Sequence, residues 1–62
     1  MILKLHAKHT NEVRYINMDK VIRVSPLTDG ALLDFEDNEL WQEVTEPADF
    51  VAQLWAYGSS NV

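Results

Sequence analysis

Two histidines three residues apart, His6 and His9, are the first place in this chain where chemistry could sit. Imidazole is the commonest metal ligand among side chains, but a site needs further donors beside it. The nearest carboxylate in sequence is Glu12. In a strand running into a turn, residues three apart point to opposite faces unless the turn folds them together. The pair therefore reads as solvated polar residues, and no metal site is expected. Asp34, Glu36 and Glu43 are the next candidates, for general acid/base work. That work requires a carboxyl perturbed by burial or by a close like charge. Their spacing instead places them on an open strand face with no nucleophile beside them. Ser25, Ser59 and Ser60 lack a Gly-x-Ser-x-Gly setting, and two glycines cannot build a phosphate-cradling loop. The expectation is a protein without catalysis and without a cofactor.

The elements that must position these residues are organised around Ala31 to Gly58. Phe50, Val51, Leu54, Trp55 and Tyr57 recur at close to helical spacing and predict one amphipathic helix. Pro47 suits its first turn, with Thr45 or Glu46 as the cap, and Gly58 suits its end. Glu46 and Asp49 set negative charge at the positive end of the helix dipole. About three turns of helix do not persist alone in water, so this one must dock on a sheet. Residues 59–62 read as a flexible tail beyond the single domain of residues 1–58.

Ahead of the helix, segments 31–36 and 40–45 flank Asp37-Asn38, which suits a two-residue hairpin turn. That register sets Phe35 against Leu40, Leu33 against Gln42 and Ala31 against Val44, on a mostly apolar face that suits the helix. The other face then carries Leu32, Asp34, Glu36, Glu39, Trp41 and Glu43. A slip of one residue would exchange the two faces.

Earlier still, Ile2 to Ala7 alternates as a strand with Leu3, Leu5 and Ala7 on one face, and Val13 to Ile16 returns as its hairpin partner. Asn17 to Lys20 predicts a corner or a single helical turn, with Asn17 bonding the backbone ahead of it. Val21 to Val24 is a third, β-branched strand, and Ser25 to Gly30 a loop fixed by Pro26. The fold class is α+β: a curved antiparallel meander of about five strands packed by one C-terminal helix, with partial closure into a barrel left open. Without closure, the first and fifth strands are expected as exposed edges.

The layout resembles the short FlbD/SwrD-type bacterial proteins associated with flagellar and swarming motility. The matching pieces are Met1-Ile-Leu-Lys-Leu-His, Glu12-Val-Arg-Tyr-Ile-Asn before an Asp, Val21-Ile-Arg-Val, and Val44-Thr-Glu-Pro ahead of an amphipathic helix. The resemblance covers nearly the whole chain. Asp37-Asn38 stands where that family has Asn-Gly, and Pro47 stands where it has Ser. What the resemblance implies is a strand-rich fold with a C-terminal helix and a non-catalytic role. It carries over no functional residues.

Size and charge bound the function further. A chain of 62 residues buries only about 60% of its unfolded surface, and with no cysteine it has no disulfide to compensate. Oligomerisation is a common answer, so a homo-oligomer is expected. No apolar run reaches the roughly 20 residues of a membrane span, and the first residues lack the pattern of a signal peptide. A cytoplasmic protein with no membrane insertion follows as the expectation. The net charge of −5 divides into +3 over residues 1–23 and −8 beyond them. Either strands of the two halves neutralise each other within the sheet, or basic and acidic faces of different molecules meet. Nucleic acid is disfavoured, because phosphate binding needs a concentrated basic surface. Trp55 reads as helix-to-sheet packing. Trp41, among carboxylates, reads as a contact residue or as cover for the sheet's rim. The interface residues expected are Trp41, Leu32, Asp34 and Glu43. A self-associating interaction module is the first reading, and an acidic regulator binding a basic protein partner the alternative.

Overall fold

The computed structural model describes residues 1–58, so the tail expected at 59–62 lies outside the described residues. Five strands and two helical segments follow one another: β1 (Ile2–His6), β2 (Val13–Asn17), a 3-10 turn (Met18–Lys20), β3 (Val21–Leu27), β4 (Gly30–Phe35), β5 (Trp41–Val44) and α1 (Ala48–Gly58). All pairings between neighbouring strands are antiparallel. β1 and β2 form one sheet; β3, β4 and β5 form a second with β4 in the middle. The α+β class stands. The two sheets do not close into a barrel.

The hydrophobic pattern selects the register, and the expected pairing is the one observed. Ala31 opposes Val44, Leu33 opposes Gln42, and Asp34 opposes Trp41. Ala31, Leu33 and Val44 are buried with Leu5, Ile16, Met18, Val21 and, from the helix, Val51. A one-residue slip would have exposed the first three, so burial enforces this alignment. The turn itself differs from the expectation. Leu40 N–H bonds the Asp37 carbonyl and Glu39 N–H bonds the Asp37 carboxylate, so the bend is centred on Asn38-Glu39. The short side chain of Asp37 competes for the backbone and draws the turn one residue onward. Asn17 does the same ahead of the 3-10 turn, where its side chain accepts from Asp19 N–H, as its residue type predicts.

Three other expectations change. β3 runs through Pro26 to Leu27, leaving only Thr28-Asp29 as the turn where a loop from Ser25 was expected. An edge strand tolerates proline because one side of it has no ladder to supply. Secondly, β1 and β5 are only partly free edges. Their ends meet at an Ala7–Val44 bridge, with Lys8 N–H bonded to the Glu43 carbonyl at 3.0 Å and Thr45 N–H to the His6 carbonyl at 2.9 Å. β2 and β3 lie on the sides away from this join. Lastly, the helix turns a narrower face inward than its spacing suggested: Val51 is buried, Ala48 and Trp55 pack on the core, and Phe50 and Tyr57 are exposed. At about 100° per residue, those two lie roughly 100–120° around the helix from Val51. Pro47 stands just ahead of the helix rather than in its first turn, and it takes the capping position expected of Thr45 or Glu46, its carbonyl accepting the first bond from Val51 N–H.

Gly30 fixes how closely β4 approaches the end of β5. Its φ is +156°, and a Cβ there would collide with the Val44 carbonyl oxygen. Only glycine fits.

Candidate functional site

The outer face of the three-stranded sheet carries the residues singled out for contact. Successive rows across the strands place Arg23, Asp34 and Trp41 side by side, and then Ser25, Leu32 and Glu43. All four expected interface residues thus lie together on the face away from the core. Trp41 is 64% exposed and Leu40 beside it is exposed too, whereas Leu32, Asp34 and Glu43 are half-buried.

The carboxylates of this face are mostly answered by cations from the first half of the chain. Arg23 Nε donates to Asp34 Oδ2 at 3.0 Å, and Lys20 Nζ lies 3.4 Å from Glu36 Oε1. The antiparallel meander sets β3 beside β4, so basic and acidic segments pair within one molecule. Exposed pairs of this kind each contribute about 0–1 kcal/mol. Asp29, Asp37, Glu39 and Asp49 have no cationic partner among the described residues.

The histidines take partners that local sequence did not suggest. His6 Nδ1 lies 2.7 Å from Glu46 Oε2, and His6 N–H donates to Glu46 Oε1 at 3.0 Å. His9 Nε2 lies 3.0 Å from Glu43 Oε1. These pairs straddle the Ala7–Val44 bridge, so both histidines serve the join between β1 and β5. Glu46, expected as a helix cap, instead uses both carboxylate oxygens on His6. Partial burial alone raises its pKa, but the bonds from the His6 ring, the His6 N–H and its own backbone N–H, with the attraction of the imidazole, outweigh this. Its carboxyl is held below the usual value. No nearby residue hinted at these partners, because forty residues separate His6 from Glu46 and thirty-four separate His9 from Glu43.

The described residues contain no group of three or more His, Cys, Asp and Glu side chains placed to hold a metal ion. A cleft of about 670 Å³ lies between the β3–β4 turn and the start of α1, where Thr28, Asp29, Thr45 and Asp49 line it with apolar neighbours. Its lining contains neither histidine and no cationic side chain. No described helix is long and apolar enough to cross a membrane. No family model, no curated protein and no solved structure matches this chain.

Proposed function

We propose that the chain is a small non-catalytic interaction module that self-associates, with Trp41 at the centre of its contact face. The observation that carries this reading is the position of Trp41. An indole 64% exposed on the outer sheet face, with half-buried Leu32 on the same face, leaves a large apolar side chain in water. Tryptophan in such a setting is characteristic of the centres of protein contacts. The resemblance to FlbD/SwrD-type proteins supports the same non-catalytic role, and a cytoplasmic location is part of this proposal. Light scattering tests it: the mass is expected above that of a monomer, and Trp41→Ala is expected to weaken assembly more than Tyr57→Ala. A concentration-independent monomer at 7.1 kDa removes the reading.

A second reading, an acidic surface meeting a basic protein partner, rests on Asp37 and Glu39. These unpaired carboxylates sit at the tip that leads into Leu40 and Trp41. Salt separates the two readings. Contact through unpaired charge fades steeply with ionic strength, whereas an apolar self-contact barely responds.

A further inference from the structure

The two strands on the sides away from the β1–β5 join are finished differently. β3 carries Pro26 and a register shift between Val21 and Arg23, both devices that spoil an edge for further pairing. β2, Val13-Arg14-Tyr15-Ile16-Asn17, has no proline, no bulge and full register with β1. Its bonds to β1 also fix which of its backbone groups are spent. Ala7 N–H bonds the Glu12 carbonyl, and Met18 N–H bonds the Met1 carbonyl, both at 2.8 Å. Even-numbered residues of β2 therefore point their N–H and C=O toward β1. In an antiparallel ladder the alternate residues point the other way. The backbone groups of Val13 and Tyr15, with the Asn17 N–H, have no partner among the described residues. The Asn17 carbonyl already opens the 3-10 turn.

We infer that β2 pairs with β2 of a second copy of this chain, antiparallel about a two-fold axis through Tyr15. In that register Tyr15 exchanges its N–H and C=O with Tyr15 of the second copy. Asn17 N–H of each copy meets the Val13 carbonyl of the other. Of the unspent groups, all but the Val13 N–H thus satisfy one another; that amide falls opposite the Asn17 carbonyl already used by the 3-10 turn.

The side chains agree with this register. Arg14 falls opposite Ile16 of the second copy, so no like charges are opposed. Because the axis stands perpendicular to the sheet, equivalent faces stay on the same side. Tyr15, 71% exposed, then lies against its own counterpart, a favourable cross-strand aromatic pair. Lys4 is the cross-strand neighbour of Tyr15 within each hairpin. The two lysines end up about three strand spacings apart, roughly 14 Å, beyond a Debye length at physiological salt. Five residues of overlap make a contact below standard size, so the pairing is reversible and depends on concentration. It uses the other sheet from Trp41 and does not rest on that face.

Amide hydrogen exchange followed by NMR tests the inference on the full chain. Arg14 and Ile16 amides, bonded to β1, are expected to be protected at every concentration. Protection of the Tyr15 and Asn17 amides is expected to rise at least about tenfold over a hundredfold increase in protein concentration. The same rise is expected in Trp41→Ala. Tyr15→Lys, which keeps an exposed side chain and opposes two like charges, is expected to weaken it at least about tenfold, with unchanged circular dichroism confirming the fold. Three results overturn the inference: exchange at unstructured rates throughout, protection that ignores concentration (the chain's own residues cover the edge), or protection appearing only when another protein is added.

Discussion

Removing the Glu46 carboxylate should loosen the join between β1 and β5. Its side chain is only 15% exposed, and it accepts the His6 N–H at 3.0 Å while contacting the ring nitrogen at 2.7 Å. A hydrogen bond to a charged group contributes about 1.5–3 kcal/mol, and an orphaned backbone donor costs about 1–3 kcal/mol. His6 is partly exposed, so water recovers some of this, and Glu46→Ala should cost about 2 kcal/mol. A domain of this size is expected to have about 3–9 kcal/mol in total, so the loss is a large share. It corresponds to roughly 8–16 °C in Tm. Glu46→Gln keeps an acceptor for the His6 N–H and should lose only about half as much. The pH dependence has a definite sign. The folded state lowers the Glu46 pKa, so its ionised form stabilises the fold above its unfolded value near 4.5. That contribution disappears as pH falls from there through the lower folded value. Thermal and urea melts of the three proteins at neutral pH and at stepped acidic pH would measure it. The gap between parent and Glu46→Gln should be widest above pH 4.5 and should narrow in acid. A Glu46→Ala protein as stable as the parent at neutral pH, or a gap that widens in acid, would refute this account of the join.

Two other substitutions probe the frame. Gly30→Ala forces a Cβ onto the Val44 carbonyl at a backbone angle that only glycine tolerates, and should cost about 2–3 kcal/mol in urea denaturation; a loss under about 0.5 kcal/mol would show that the approach is not tight. Val51→Ala should cost about 1.5–3 kcal/mol, because the side chain is fully buried, while Phe50→Ala on the same helix should stay within about 1 kcal/mol; equal losses would mean the helix docks by a different face.

Much of this fold was legible because its information is local. The alternation in Ala31 to Val44 fixed which side chains go inward, and burial of Ala31, Leu33 and Val44 left one register open. The grouping of Trp41, Leu32, Asp34 and Glu43 on one face followed from the same two-residue period. What local pattern could not reveal was the meeting of β1 with β5. Two backbone bonds and two His–Glu pairs make that join, and each links residues more than thirty apart. Glu46 read as a cap because its neighbours are a helix start; only knowing that His6 lies beside it changes its role. Pro26 was misread for a similar reason. A proline ends a central strand but not an outer one, and which strand lies outermost is a property of the whole sheet.

The join between the first and last strands also bears on the order in which this molecule takes shape. The opening hairpin closes over a few residues, and the following three strands are successive neighbours, so both pieces can organise through short-range encounters. Their union closes a ring of about forty residues, an entropic cost that grows only logarithmically with length but brings no return until both ends arrive together. Docking of the two pieces is then expected as the late event in folding. Under stress the amino-terminal hairpin should come away first as a unit, baring Leu5 and Ile16 while the remaining strands and helix still hold.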